Sequence, residues 1–168
     1  LLEVYEDIMK IKPKFKILTT TGAEITKIAI NTYLTFKTAY GNFIGDICIE
    51  SGEENEVDNI LEAIGSDSRI GNKYLNYGFP ASGICLPRDL RALKHHINRV
   101  GGYTYSDIIF TIQMQNIQHL HFMKMNLMCK NPYKEVPFIF SYITYKKGID
   151  FMAESAPLDL CLELLKEG

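Results

Sequence analysis

Hydrophobic side chains recur at helical spacing along most of the chain. Leu1, Val4, Tyr5 and Ile8 share one face of a short amphipathic helix over 1–11, and Pro13 ends it. Lys14-Phe15-Lys16-Ile17-Leu18-Thr19 instead alternates polar and apolar positions, the pattern of a strand. Thr21, with Glu24 three residues later, predicts a capping box, and no proline falls between it and Ser51. Across that stretch Ile25, Ile28, Ala29, Thr32, Phe36, Ala39, Phe43 and Ile47 keep a 3.6-residue stripe. One long helix is expected there, the kind that serves as a spine between domains or as a dimer interface.

Gly52 ends that helix, and the acidic Glu53-Glu54-Asn55-Glu56 suits the positive end of the next. Val57, Ile60, Leu61 and Ile64 supply its buried face, with Gly65 as C-cap. Residues 66–86 are rich in Gly, Ser, Asn and Tyr, and a loop of that length is commonly functional. Pro87 fits the first turn of a helix running through Leu90, Leu93, His96 and Ile97 to Gly101-Gly102. Ser106 or Asp107 caps a further long helix to Cys129, bearing Ile108, Ile112, Ile117, Leu120, Met123 and Leu127. Val136-Pro137-Phe138-Ile139-Phe140-Ser141-Tyr142-Ile143 predicts a buried strand, followed by a helix from Leu158 to Lys166. The expected fold class is mainly α: a helical central dimerisation domain with a long spine helix, flanked by partial α/β pieces.

Charge narrows the function classes. With 18 basic and 20 acidic residues in 168, the net charge of −2 argues against a nucleic-acid partner. No apolar run reaches the roughly 18 residues that span a bilayer, and the first residues lack the n- and h-regions of a signal peptide. Cys48, Cys85, Cys129 and Cys161 are widely separated with no CxxC pair, so a cytoplasmic protein with reduced thiols is expected. A metal or haem site on His95, His119 and His121 is disfavoured by spacing, and no metal is expected. The chain opens without methionine and as if inside a helix, which reads as an excerpt of something longer.

Two clusters could carry chemistry. Cys85 falls in the turn before the helix that starts at Pro87, where free N–H groups and the helix dipole favour thiolate. Arg88 adds positive charge, and Asp89, four positions on, caps the first turn or acts on a water near the thiol. The competing reading is a capping turn with an inert cysteine. Lys27 and Asn31, at i, i+4, share one face of the long helix and together can hold an oxyanion or order a water. Their competing reading is a solvated helix face. There is no GxGxxG and no GxxxxGK[ST], so no nucleotide-phosphate loop is visible.

Four blocks in order resemble one family. They are Ala23-Glu24-Ile25-Thr26-Lys27-Ile28-Ala29-Ile30-Asn31, then Asp67-Ser68-Arg69-Ile70-Gly71, then Cys85-Leu86-Pro87-Arg88-Asp89-Leu90-Arg91-Ala92-Leu93. The fourth is Tyr145-Lys146-Lys147-Gly148-Ile149-Asp150 with Glu154-Ser155. This set, with its Lys-x3-Asn and Cys-x3-Asp spacings and Asn116 late in the central helices, is similar to the UDP-glucose/GDP-mannose dehydrogenases. The resemblance implies three domains: residues 1–20 ending a Rossmann NAD-binding domain, 21–130 forming the helical dimerisation domain, and 131–168 opening an α/β domain for the UDP-sugar.

It also implies a reaction, the four-electron oxidation of the sugar C6 alcohol to a carboxylate with two NAD. By resemblance Cys85 holds the aldehyde as a thiohemiacetal and then a thioester, and Asp89 assists water activation. Lys27 and Asn31 stabilise oxyanions and position the hydrolytic water. Tyr74, Tyr77, Gly78, Phe79, Gly83 and Lys146 contact the nucleotide sugar, for which Arg69-Ile70-Gly71 and Tyr74-Leu75-Asn76-Tyr77-Gly78 favour UDP-glucose. A homodimer through residues 22–52 is implied as well. Departures from the pattern fall in the loop before the cysteine, where Pro80, Ala81 and Ser82 replace residues of a GFGFGG run and Ile84 a small residue or proline. Later, Ile149 stands where threonine is usual and Ala153 where a charged residue is common. The 168 residues alone are not expected to turn over NAD. The alternative is a non-catalytic helical dimerisation module.

Overall fold

The computed structural model describes residues 2–11, 14–101 and 105–167. Leu1, Pro13 and Gly102, read above as a helix face and two helix stops, lie outside them. The elements are α1 (Leu2–Ile8), α2 (Thr20–Glu50), a 3-10 turn (Glu54–Glu56), α3 (Val57–Ser66), α4 (Leu86–Arg99), α5 (Ser106–Lys130) and α6 (Ala156–Leu165). Helix α2 is the spine: α3, α4 and α5 pack against it, and α6 packs on α5. Its 31 residues make a rod about 45 Å long.

The start of α2 corrects the sequence reading. Thr19, not Thr21, is the N-cap: its backbone is extended and its Oγ1 accepts the Gly22 N–H at 3.1 Å. The Thr19 carbonyl already accepts the Ala23 N–H at 2.8 Å, so Thr20 and Thr21 stand inside the first turn. Gly65 is likewise not a C-cap. It lies within α3, where a Cβ would sit 1.7 Å from Asn72 Oδ1, and Asp67 ends the helix. Tyr105 precedes α5 as its N-cap residue, rather than Ser106 or Asp107.

The apolar stripe of α2 resolves into two faces. Thr35, Lys37, Ala39, Gly41, Asn42, Gly45 and Cys48 are buried, a face of small and polar side chains. Tyr33, Phe36, Tyr40, Phe43 and Ile47 are exposed. Small residues let neighbours approach closely: a Cβ on Gly45 would fall 2.0 Å from the Tyr77 ring. Ala39 joins Leu90, Ile109 and Ile112 in one core cluster between α2, α4 and α5. Cys48, Val57, Leu61 and Leu75 form a second, between α2, α3 and the 67–85 loop.

No β-strand forms among the described residues, so α/β pieces do not flank the helical centre. Residues 14–19 and 136–143 run as irregular chain, with Ile17 87% and Ile139 89% exposed. A strand exists only as a paired ladder, and alternation or an apolar run without a neighbour to pair with does not make one. Among the described residues no helix is long and apolar enough to cross a membrane.

The 67–85 loop is stitched to the helices by side chains. The buried Lys37 donates from Nζ to the carbonyls of Ile70 at 3.0 Å and Gly71 at 2.7 Å. Asn42 Oδ1 accepts the Gly78 N–H at 3.0 Å, and the Gly83 N–H donates to the Glu154 carbonyl at 2.7 Å. Gly83 has φ +84°, and a Cβ there would meet the Tyr145 ring at 2.4 Å. The loop therefore enters against α2, leaves against the 154 turn, and delivers the chain to Cys85.

Candidate functional site

Asp89 organises the first cluster. Helix α4 starts at Leu86 with Pro87 in its first turn, which places Asp89 in that turn too, 4% exposed and facing α2. Across the interface, one turn apart on α2, Lys27 and Asn31 both point at the same oxygen. Lys27 Nζ pairs with Asp89 Oδ2, and Asn31 Nδ2 donates to it at 2.6 Å. On the other side Arg88 donates from Nε to Asp89 Oδ1 at 3.0 Å, so both carboxylate oxygens are engaged. Burial pushes the Asp89 carboxyl up, but the hydrogen bonds from Lys27, Arg88 and Asn31 outweigh it and hold the group below the ordinary carboxylate range. Lys27 itself is 57% exposed on its side chain, so the cluster has a sealed base and an open edge.

Cys85 stands one turn upstream of Asp89, and its carbonyl accepts the Asp89 N–H at 2.9 Å. It occupies the N-cap position of α4, but its side chain makes no capping bond, and it is exposed. Arg88 and Asp89 are thus within one helical turn of an accessible thiol. Cys129 is also exposed, Cys161 is partly covered, Cys48 is buried, and all four are free thiols.

The residues expected to contact a nucleotide sugar are distributed unevenly. Tyr74 is 48% exposed and holds φ +64°, an uncommon conformation for a tyrosine. Gly78 and Phe79 are partly covered, and Gly83 is buried at the loop exit. Lys146 is exposed, beyond the last long helix, its carbonyl accepting the Thr144 hydroxyl at 2.9 Å. Tyr77 turns inward: its hydroxyl donates to Asp46 Oδ1 at 3.1 Å. Burial and the Asp46 carboxylate raise the Tyr77 phenol well above its usual range.

A second cluster surrounds Asp46 and has no counterpart in the sequence reading. His119, on α5, is 1% exposed. Its Nδ1 faces both Asp46 oxygens at 2.9 and 2.8 Å, its Nε2 lies 2.7 Å from the Gly78 carbonyl, and the Tyr77 ring meets it edge-on at 5.4 Å. The pair is separated by 73 residues, so no local motif announces it. The only sequence signal is polar residues at helical positions that periodicity assigns to the interior. Among the described residues no group of three or more His, Cys, Asp or Glu is arranged to hold a metal ion.

Comparison with known proteins identifies the family. Residues 21–117 match the UDP-glucose/GDP-mannose dehydrogenase family, central domain. Among relatives, the UDP-glucose 6-dehydrogenase TuaD of Bacillus subtilis (strain 168) is 29% identical over 139 residues, 83% of this chain and 30% of the relative. The UDP-glucose 6-dehydrogenase of Rickettsia bellii (strain RML369-C) is 29% identical over 148 residues, 87% of this chain and 33% of the relative. That of Rickettsia conorii (strain ATCC VR-613 / Malish 7) is 33% identical over 90 residues, 51% of this chain and 20% of the relative. The chain thus spans about a third of the length of TuaD and the R. bellii protein. The matched segment includes Lys27, Asn31 and Asp89, which meet between α2 and α4, and Cys85 one turn upstream of Asp89. This chain belongs to the UDP-glucose/GDP-mannose dehydrogenase family and carries its central domain.

Proposed function

We propose that the Lys27–Asn31–Asp89 cluster and Cys85 form the acyl-transfer centre of a UDP-glucose 6-dehydrogenase-like enzyme, which oxidises the sugar C6 alcohol to a carboxylate. The observation that carries the reading is the convergence of Lys27 and Asn31 on Asp89 beside an exposed thiol at the start of α4. Neither the solvated-face reading nor the inert capping turn accounts for it: Asp89 is buried, and the Cys85 side chain caps nothing.

The chemistry assigned to these residues is a redox-neutral addition and a hydrolysis. The Cys85 thiol gives its proton to solvent, its sulfur adds to the C6 aldehyde, a C–S bond forms, and the carbonyl π pair moves to oxygen. Lys27 and the Asn31 amide provide N–H donors for that oxygen. At the thioester stage water adds to the same carbon and gives one proton to solvent. The C–S bond breaks with its electron pair going to the Cys85 sulfur as thiolate, and the carboxylic acid releases a second proton to solvent. Asp89, with both oxygens engaged and its carboxyl held ionised, anchors Lys27 and Asn31 instead of shuttling the proton itself.

The oxidising equivalents in this family come from NAD. This chain does not fit that cofactor by itself: none of its glycines forms the G-x-G-x-x-G turn that brings backbone against a pyrophosphate. The NAD site is assigned to another part of the protein. A homodimer is proposed through α2, supported by the exposed stripe Tyr33, Phe36, Tyr40, Phe43 and Ile47, which alternates i+3 and i+4 like a helix-pairing seam. A UDP-sugar is the substrate and the cytoplasm the site of action in this reading.

The test is NADH formation from UDP-glucose by the protein that contains this chain. Cys85→Ser is expected to abolish it, while turnover at the wild-type rate would remove Cys85 from the role. The second reading, a dimerisation module without catalysis, is supported by Pro80 and Ser82 in the loop that leads to Cys85. It predicts no NADH from the wild type but a dimer that Phe36→Asp with Phe43→Asp converts to monomer.

A further inference from the structure

Gly78 is the only loop residue described here whose N–H and C=O are both held by side chains from helices. Asn42 on α2 accepts the N–H at 3.0 Å, and His119 on α5 meets the carbonyl at 2.7 Å. A carbonyl oxygen can only accept, so His119 Nε2 carries a proton and donates it there. The Asp46 carboxylate is likewise an acceptor, so Nδ1 also presents an N–H, aimed at the two oxygens 2.9 and 2.8 Å away, and the ring is held by a donated bond at each nitrogen. Asp46 in turn accepts the Tyr77 hydroxyl, and Tyr77 packs close against Gly45, where a Cβ would collide with its ring. Four side chains from two helices and the loop therefore fix the two peptide groups that flank the Gly78 Cα. The Asn42 amide nitrogen is buried without a partner, a cost accepted to keep its oxygen on Gly78.

The clamp stands at the entry of the segment in which Pro80, Ala81 and Ser82 have replaced a flexible glycine run. The exit is tied at Gly83. We propose that His119, oriented by Asp46, is a positioning residue that fixes the Gly78 carbonyl and thereby the Gly78–Gly83 loop against which a nucleotide sugar lies on its way to Cys85. The proposal rests on the substrate reading given above for the role of the loop, and on geometry alone for the clamp.

Two measurements separate these. Amide hydrogen exchange on the intact chain reads the clamp. His119→Leu is expected to speed exchange in the 74–84 peptide about tenfold or more, with α2 residues 27–35 and α4 residues 89–97 unchanged, and His119→Gln, which keeps an N–H donor, to restore most of the protection. Unchanged exchange in 74–84, or a rise shared equally with α2 and α4, would overturn it. Should His119→Leu not fold, the imidazole nitrogen resonances of the wild type decide: a protonated Nε2 is expected, and an unprotonated Nε2 contradicts the clamp. The second measurement is protection of Cys85 from iodoacetamide by UDP-glucose. About tenfold more UDP-glucose should be needed in His119→Leu than in the wild type. Equal protection in the two would overturn the positioning role. No protection in the wild type would instead overturn the substrate reading, and hydrogen exchange would still decide the clamp.

Discussion

Two polar clusters sit on α2 about four turns apart, and they are built to opposite ends. Around Lys27, Asn31 and Asp89 the carboxylate is buried but its partners reach solvent, Lys27 by more than half of its side chain. Around Asn42, Asp46 and His119 the imidazole is fully enclosed and bonded at both nitrogens. Hydrogen bonds inside a protein are strong when complete and costly when broken, so the sealed cluster holds structure in place. The open cluster keeps donors available at its edge and sits next to an exposed thiol. One helix carries a place for chemistry and, further along, a fixture for the loop that leads to it.

Substitutions at the two clusters should therefore fail differently. Apart from loss of the nucleophile itself, the largest effect is expected from Asp89→Asn, which weakens the anchor of Lys27 and Asn31. NADH formation from UDP-glucose should fall on the order of 10²–10³-fold, by analogy with loss of an oxyanion donor, with α-helical circular dichroism retained. A variant that keeps wild-type turnover would erase the functional half of the contrast. At the sealed cluster, Asp46→Ala leaves His119 Nδ1 and the Tyr77 hydroxyl without their acceptor. Denaturant unfolding should show a loss of about 3 kcal/mol.

A finer probe is Gly45→Ala. The added methyl meets Tyr77, and the ring must move off the clamp, at about 1–3 kcal/mol by the same measurement. An unchanged midpoint would mean that Tyr77 is free to shift and that the packing is looser than the contacts imply.

The pH response should also distinguish the clusters. Asp89 is held below the ordinary carboxylate value of 3.8, so its ionised form is favoured by folding. That contribution is fully present above about pH 4 and is lost as pH falls through the lowered value in the folded state. The stability gap between wild type and Asp89→Asn should accordingly persist from neutral pH to about pH 4 and narrow below it. A gap that grew on acidification would have the wrong sign. The smallest effect belongs to Arg88→Gln. Its side chain is 55% exposed, and Lys27 and Asn31 remain on the other oxygen, so stability should change by less than about 1 kcal/mol.

The two halves of the open cluster were legible in the sequence because each is local, but their meeting, across 62 residues from Lys27 to Asp89, was implied only by the family resemblance. Lys27 and Asn31 announce themselves by i, i+4 spacing, and Cys85 and Asp89 by one turn of a helix that Pro87 marks. The sealed cluster was not legible, since Asp46 and His119 meet only after α2 and α5 pack, and each by itself is an unremarkable polar residue in a helix. Periodicity found the length of α2 but not its facing. Ala39 and Phe36 belong to one stripe on paper, yet the small residue faces the core and the aromatic one the solvent, because close packing against α4 and α5 selects for size. The predicted strands at 14–19 and 136–143 failed for a related reason: alternation and β-propensity describe what a strand tolerates, while its existence depends on a neighbour that a linear pattern does not contain.

The most direct test of the acyl-transfer assignment needs no oxidant, because addition of a thiol to an aldehyde is redox-neutral. The chain is incubated with the C6 aldehyde of UDP-glucose and then with iodoacetamide, and alkylation at each cysteine is read by peptide mass spectrometry. The account predicts that Cys85 is shielded in proportion to the aldehyde while Cys129 and Cys161 are alkylated as before, and that Asp89→Asn weakens the shielding. Alkylation of Cys85 at the same rate with and without the aldehyde would contradict it.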